Sequence, residues 1–175
     1  MSAVPDIYRI ASIGQGYLAV MAHPASGGDL DASIAALAAQ DIHQVVSLLE
    51  IEEAQMLGLE PEAGLVDRHS MRFLSFPIPD MGLPGSIDEF ARLSWQLYRQ
   101  VESGTNSLIH CRGGIGRSGL LAAAVLLHEG LEVEQALAEV ARKRARQVPE
   151  TSEQGAWLIA NCAAIVAVTQ RESKR

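Results

Sequence analysis

The sequence has few of the features that mark secreted, membrane-spanning and metal-binding chains. Its two cysteines, Cys111 and Cys162, are too few for a disulfide framework or a cysteine-ligated zinc site. Its longest uninterrupted apolar run, Leu120 to Leu127, is far shorter than the roughly 20 residues that cross a bilayer. The first residues contain neither the basic nor the apolar segment of a secretory signal. We therefore expect a cytoplasmic protein without a membrane span.

Basic charge is also scarce, and it is unevenly distributed. The chain has 14 Lys and Arg against 21 Asp and Glu, for a formal net charge of −7. Residues 1–90 hold 13 acidic and 3 basic side chains, whereas residues 91–175 hold 8 acidic and 11 basic ones. An acidic chain of this kind is not expected to bind nucleic acid, although its more basic half can hold a small anion.

The length of 175 residues, 48% of them hydrophobic, predicts a single domain over residues 1–175. Residues 1–25 contain two apolar stretches that predict a hairpin, and short strands then alternate with helices through residues 30–165. The later strands are predicted at Val45–Leu49, Arg72–Ile78 and Ser107–His110. The helices are predicted at Asp31–Ala39, Glu52–Leu57, Pro61–Arg68, Ser86–Glu102, Ser118–Glu129, Val133–Arg144 and Thr151–Thr169. This pattern indicates an α/β fold of three layers, in which a short, mostly parallel sheet carries helices on both faces.

The segment His110–Gly119 lies where a buried strand is predicted to end and a helix to begin. Ligands of α/β sheets gather at such strand ends, and the free N–H groups of a helix N-terminus favour anions. Its glycines allow a tight loop that turns backbone N–H groups inward. Cys111 at the mouth of this loop is expected to be at least partly thiolate, and Arg117 offers two parallel donors to a phosphate group.

These residues resemble the signature loop of the cysteine-dependent protein tyrosine phosphatases, in which His-Cys is followed by five residues and Arg-Ser. Upstream, Phe76–Asp80 is similar to the general-acid loop of the small dual-specificity members. Downstream, Pro149–Thr151 and Gln154 are similar to the kinase-associated phosphatase-like branch. The resemblance covers roughly residues 30–165, and the predominance of Arg over Lys fits a bacterial type.

The resemblance implies that Cys111 attacks phosphorus and forms a cysteinyl-phosphate, while Asp80 protonates the leaving oxygen. It also implies that Ser118 hydrogen-bonds the thiolate, that His110 braces the loop, and that Gln154 supports the second step. The phosphate oxygens would be held by the loop residues Arg112, Gly113, Gly114, Ile115, Gly116 and Arg117. The expected substrate is a phosphorylated protein, with inorganic phosphate or a similar oxyanion fitting the loop. No metal and no cofactor are expected.

Several of these assignments have alternatives. The substrate could instead be a phosphoinositide or another non-protein phosphate, and the chain could be a phosphate-binding scaffold without activity. Gly114, Gly116 and Gly119 also match a dinucleotide-binding fingerprint, but the 56 residues that follow are predicted to be helical rather than to complete such a domain. Gln154 lies in a capping-box pattern that begins at Thr151, so its amide could serve only to cap a helix.

Two further features have no settled role in the sequence. The basic cluster Arg142–Arg146 is expected to lie at a helix C-terminus, where cations are favoured, with docking of acidic substrates as an alternative. Cys162 is expected in the core, and the alternative is a disulfide with oxidised Cys111.

Overall fold

The computed structural model describes residues 4–172 and contains one five-stranded sheet flanked by helices. The strands are β1 (Tyr8–Ile13), β2 (Gly16–Met21), β3 (Gln44–Ser47), β4 (Arg72–Ser75) and β5 (Ser107–His110). The helices are α1 (Leu30–Ala39), α2 (Ile51–Met56), α3 (Glu62–Arg68), α4 (Ile87–Glu102), α5 (Arg117–Leu127), α6 (Val133–Arg144) and α7 (Ser152–Glu172), with a 3₁₀ turn at Gly27–Asp29.

The sheet is mostly parallel, as predicted. Its strand order is β1-β2-β5-β3-β4; β1 and β2 form an antiparallel hairpin, and the other three pairings are parallel. Gly14 closes the hairpin with a φ of 55°, and a Cβ there would collide with the carbonyl of Glu102. Strand β5 therefore lies in the middle of the sheet, and the loop that follows it emerges between β2 and β3.

Helices cover both faces of the sheet, which confirms the three layers. Along β5, Leu108 packs into a core shared with α1 and α3, while Ile109 packs into a larger core shared with α4, α5, α6 and α7. The alternation follows from the strand pleat, which points successive side chains to opposite faces. Helix α5 is buried at all 11 positions, so the loop at its N-terminus is anchored on a helix of the core.

Most predicted boundaries differ from those of the structure by one to three residues, and two of these differences involve specific contacts. Helix α1 begins at Leu30 after Asp29, and Asp31 lies in its first turn, where it contacts His69 and Arg68 instead of capping the helix. Strand β4 ends at Ser75 rather than at Ile78, although the N–H groups of Phe76 and Ile78 still donate to the carbonyls of Ser47 and Leu48. No helix within residues 4–172 has the length and apolar character needed to cross a membrane.

Candidate active site

The loop from Cys111 to Gly116 joins the end of β5 to the start of α5, where the sequence placed it. Gly114 has a φ of 66°, and any side chain there would overlap the backbone of Met21 and Ala22, so the loop lies directly against the end of β2. Within the described chain, the backbone N–H groups of residues 112–116 donate to no backbone carbonyl. They are thus available to an anion at the N-terminus of α5.

Cys111 is buried at the base of this loop, with 3% of its surface exposed. Its Sγ lies 3.3 Å from Oγ of Ser118, a buried residue in the first turn of α5. The hydroxyl can therefore donate a hydrogen bond to a thiolate, as the resemblance implied.

Arg117, the first residue of α5, turns its guanidinium into the site and is buried. Its Nη1 and Nη2 donate to the two carboxylate oxygens of Glu53 at 2.7 and 2.8 Å, and Nη1 also donates to the carbonyl of Ile78 at 3.0 Å. Burial opposes the charge of Arg117, but the hydrogen bond that it donates to Glu53 and the nearby Cys111, Glu53 and Asp80 outweigh this effect and raise the pKa of Arg117. The arginine is therefore a fixed cation.

Glu53 is the main site residue that the sequence analysis missed. It lies on α2 with its carboxylate almost fully buried, and the hydrogen bond from Arg117 lowers its pKa despite the opposing effect of desolvation. Ile51 and Met56 on the same short helix are 68% and 76% exposed. The hydrophobic residues of α2 therefore predict that the wrong face of this helix is buried. Nothing in the local sequence distinguishes the buried Glu53 from the exposed Glu52.

Asp80 lies in the loop after β4 and reaches the same guanidinium. Its Oδ1 accepts hydrogen bonds from Nη2 of Arg117 at 2.8 Å and from the backbone N–H of Met81 at 3.1 Å. Its Oδ2 lies 3.9 Å from Nη1 of Arg112, and 47% of the Asp80 side chain is exposed. The structure thus brings Asp80, Arg112 and Arg117 together, although 37 residues separate Asp80 from Arg117.

Gln154 is fully buried, and one of its contacts is the helix cap that the sequence pattern indicated. Its Oε1 accepts from the N–H of Thr151, whose Oγ1 accepts from the N–H of Gln154, so the helix is capped. Its Nε2 donates to the carbonyl of Gly82 in the Asp80 loop at 3.1 Å. Its Oε1 also lies 3.1 Å from the position that a Cβ on Gly116 would occupy. Gln154 therefore links α7, the Asp80 loop and the Cys111 loop.

The basic cluster at the end of α6 divides into exposed and buried members. Arg144 is 7% exposed, stacks 3.9 Å over the ring of Tyr8, and donates to the carbonyls of Gly114 at 2.7 Å and Gly113 at 3.0 Å. It braces the loop from outside, in contrast to the expectation that the cluster only decorates a helix end. Arg142, in contrast, is exposed and paired with Glu139.

The remaining candidates lie around this centre. His110, the last residue of β5, is fully buried, and its ring contacts the buried carboxylate of Glu62, another residue that the sequence did not single out. Cys162 lines a cavity together with Leu127, the last residue of α5. The helix is about 16 Å long, and the Cys111 loop lies at its other end. Residues 4–172 contain no group of three or more His, Cys, Asp or Glu side chains that could hold a metal ion.

Known proteins share both the sequence pattern and the fold. The family model described as "PTP-SAK: Swiss Army Knife protein, DSP-PTPase phosphatase domain" matches residues 8–172. The match therefore includes the N-terminal hairpin, which the sequence resemblance over residues 30–165 had left out.

Curated proteins are also similar in sequence to part of this chain. Cyclin-dependent kinase inhibitor 3 of Rattus norvegicus is 31% identical over 105 residues, which are 59% of this chain and 46% of that protein. The chain spans less than half the length of the curated relatives it matches.

Solved structures extend the likeness to the whole fold. Kinase associated phosphatase with its catalytic site cysteine changed to serine superposes with a TM-score of 0.85 at 20% identity, over 95% of this chain and 98% of that one. Tk-PTP in its active form superposes with a TM-score of 0.72 at 29% identity, over 93% and 96%. With the loop geometry and the family match over residues 8–172, the chain belongs to the dual-specificity and protein tyrosine phosphatase family.

Proposed function

We propose that the protein is a metal-independent phosphomonoester hydrolase that acts through a cysteinyl-phosphate, with Cys111 as nucleophile. One observation carries this proposal: Sγ of Cys111 lies 3.3 Å from Oγ of Ser118, and the neighbouring Arg117 guanidinium holds the Asp80 carboxylate at 2.8 Å. A nucleophile, a fixed cation and a proton donor are the parts that phosphoryl transfer requires.

In the first step, the thiolate of Cys111 attacks phosphorus and a sulfur–phosphorus bond forms while the bond to the leaving oxygen breaks. The N–H groups of the loop and those donors of Arg117 that Glu53 and Ile78 leave free hold the equatorial oxygens, on which negative charge is spread in the transition state. Asp80, as the carboxylic acid, gives its proton to the leaving oxygen. Because Asp80 and phosphate compete for Nη2 of Arg117, substrate binding releases the Asp80 carboxyl towards that oxygen.

In the second step, water attacks phosphorus, the Asp80 carboxylate takes a proton from the water, and the sulfur–phosphorus bond breaks. Ser118 stabilises the departing thiolate through the 3.3 Å contact between Oγ and Sγ. Gln154 holds the Asp80 loop through Gly82, so its role is to position the acid as well as to cap α7. The products are inorganic phosphate and the free enzyme.

The proposed substrate is a phosphorylated protein carrying phosphotyrosine, with phosphoserine or phosphothreonine as further substrates, in the reducing cytoplasm where a free thiol persists. The family description supports this class, as does the name of a viral relative that is called a tyrosine phosphatase. A phosphoinositide is the alternative, because PTPMT1, a neighbour with a TM-score of 0.74 and 18% identity, is seen in complex with PI(5)P.

The covalent mechanism is tested with Cys111→Ser, and Cys162→Ser serves as the matched control. Cys111→Ser should abolish hydrolysis of p-nitrophenyl phosphate but retain tungstate binding, because a serine hydroxyl is a poor nucleophile while the anion cradle is intact. Cys162→Ser should keep wild-type turnover. Activity within tenfold of wild type in Cys111→Ser would exclude the cysteinyl-phosphate route.

The metal and substrate assignments need separate assays. Turnover should persist in EDTA and be inhibited by vanadate; loss in EDTA that Mg²⁺ or Zn²⁺ restores would contradict a metal-independent reaction. Phosphotyrosine peptide, phosphothreonine peptide and PI(5)P should then be compared at equal concentration. A kcat/KM highest on PI(5)P would replace the protein substrate with the lipid one.

A further inference from the structure

A cavity of about 280 Å³ lies between α2, α3 and β4, the edge strand of the sheet. Its wall is mainly apolar and includes Leu59, between the two helices, and Phe73 of β4. Ile51, on the first turn of α2, extends this apolar surface to the rim of the cavity, where 68% of its own surface is exposed. Small-molecule sites are typically concave and apolar in this way, with a few polar groups that orient the ligand.

Glu62 supplies a polar group of this kind. It belongs to the wall of the cavity and is 2% exposed. Its Oε1 lies 2.8 Å from Nε2 of His110 but forms no well-aligned hydrogen bond, and its Oε2 accepts none from the residues that the structure describes. A carboxyl oxygen accepts hydrogen bonds in both protonation states of the group. Since buried acceptors are almost always paired, a donor on a bound molecule would complete this one.

The charged side chains around the cavity have one sign. Among the described residues, the lining contains Glu60 and Glu62 but no Lys, Arg or His. Glu60 is exposed, so it adds its negative charge at the rim. A ligand with a positive charge and donor hydrogens is therefore complementary to the cavity, whereas an anion is repelled by it.

We propose that this cavity binds a small molecule that consists of an apolar body and an amino group. The body packs against Leu59, Phe73 and Ile51, and the ammonium group donates a hydrogen bond to the carboxyl group of Glu62. The volume of the cavity suits a body of about one aromatic ring. Binding there involves none of the chemistry of Cys111, so it is independent of the proposed function.

The cavity adjoins two elements that support the Cys111 loop. Helix α2, which contributes Ile51 to the rim, also carries Glu53, the carboxylate that holds Arg117 at 2.7 and 2.8 Å. On α3, Glu62 contacts His110 at the end of β5. The bound molecule therefore touches both supports without entering the loop, and its site is separate from the one that takes phosphate.

The first test compares three probes that share one apolar body. 2-Phenylethylamine is titrated into the wild-type protein at pH 7, and the methyl NMR signals of Ile51 and Leu59 are followed. We expect a saturable shift of these signals with a Kd on the order of 1 mM, as for other molecules of this size. 2-Phenylethanol should bind about tenfold more weakly because its donor is uncharged, and phenylacetate should not bind. Phenylacetate binding as tight as that of the amine would overturn the proposal.

Variants then test the location of the site. Ala63 is an exposed residue of the lining, so Ala63→Trp fills the cavity from its rim and should abolish the shift of Ile51 and Leu59. Glu62→Gln should raise the Kd of the amine about tenfold, and the matched control is Asp67→Asn, which removes an exposed charge of α3 outside the lining and should leave the Kd unchanged. An unchanged Kd in Ala63→Trp would reject the cavity as the site, whether or not Glu62→Gln folds.

A final titration separates this cavity from the Cys111 loop. With the loop saturated by tungstate, 2-phenylethylamine should bind with the same Kd as in its absence. Loss of amine binding in tungstate would place the amine in the loop and overturn the proposal. Absence of amine binding in a protein that hydrolyses p-nitrophenyl phosphate would reject this site alone, whereas an inactive protein that binds the amine would reject only the proposed function.

Discussion

Glu53→Gln is the most direct test of how Arg117 is held. Glu53 accepts two charge-assisted hydrogen bonds from the guanidinium, at 2.7 and 2.8 Å, and both side chains are nearly inaccessible to water. A glutamine has the same shape but only one acceptor oxygen and no charge. We therefore expect the guanidinium to lose its fixed orientation and to pair more strongly with Asp80, the other carboxylate on Nη2.

The expected loss in kcat/KM depends on the acceptors that Arg117 still has in the variant. Removing one partner of a buried ion pair costs about 3–5 kcal/mol, because the other charge is left without compensation. In Glu53→Gln, the amide oxygen, the carbonyl of Ile78 and the carboxylate of Asp80 still accept from Arg117, so roughly half of that cost, about 2 kcal/mol, should fall on the transition state. This corresponds to a decrease of about 30-fold in kcat/KM.

The assay compares kcat/KM for p-nitrophenyl phosphate in wild type, Glu53→Gln and the control Glu52→Gln, whose side chain is exposed. The pKa of Glu53 is lowered in the folded protein, so the stabilising pair is complete above the ordinary glutamate pKa of about 4.5 and is lost as pH falls through the folded value. Urea unfolding should therefore show a loss of wild-type stability below pH 4.5 that Glu53→Gln lacks. A Glu53→Gln enzyme within threefold of wild type would refute the orienting role.

Three other variants probe the acid, the loop support and the core. Asp80→Asn should slow hydrolysis of phenyl phosphate by at least ~100-fold but hydrolysis of an activated dinitrophenyl ester by less than about tenfold, because only the poor leaving group needs a proton. Equal slowing of both reactions would assign Asp80 to loop structure, and Asp88→Asn is the exposed control. Arg144→Met, which removes the two donors to Gly113 and Gly114, should lower kcat/KM by about tenfold, whereas Arg142→Met on the exposed face should leave it unchanged. Equal kcat/KM values for the two variants would mean that the loop keeps its shape without Arg144. Burial lowers the pKa of His128 to about 4, so stability should be complete above pH 6.5 and fall by about 1–2 kcal/mol towards pH 5, after allowance for its partial exposure. Urea midpoints should show that this loss disappears in His128→Gln and persists in His43→Gln; a loss unchanged in His128→Gln would contradict the assignment.

The sequence predicted the central strand and its loop because their pattern is local. Parallel strands buried on both faces are short apolar runs, and Ser107–His110 has the bounds of β5 in the structure. The glycine-rich turn and the apolar helix follow directly, so the cysteine, the arginine and the helix N-terminus are adjacent in the chain. The family resemblance added Asp80, which the fold then brought to 2.8 Å from Arg117.

The charged residues that support the loop could not be found in this way. Glu53, Glu62 and Arg144 each lie on a helix whose other charged residues are largely exposed, and a charged residue in such a pattern is expected at the surface. Only the tertiary packing selects the buried one. Helix α6 is an example. It ends at Ala145, which has a φ of 52°, and the preceding residue, Arg144, is buried and donates to the carbonyl of Gly114 in the loop.

The two carboxylates on Arg117 differ in a way that assigns their roles. Glu53 is held through both oxygens, has a lowered pKa and exposes 6% of its side chain, so it stays ionised and in place through the proposed reaction. Asp80 is held through one oxygen and exposes 47%, so its contact is the cheaper one for an incoming phosphate to displace. In the proposed mechanism, Asp80 must leave the guanidinium before it can give its proton to the leaving oxygen. The difference in burial therefore supports Glu53 as the carboxylate that orients the arginine and Asp80 as the proposed proton carrier.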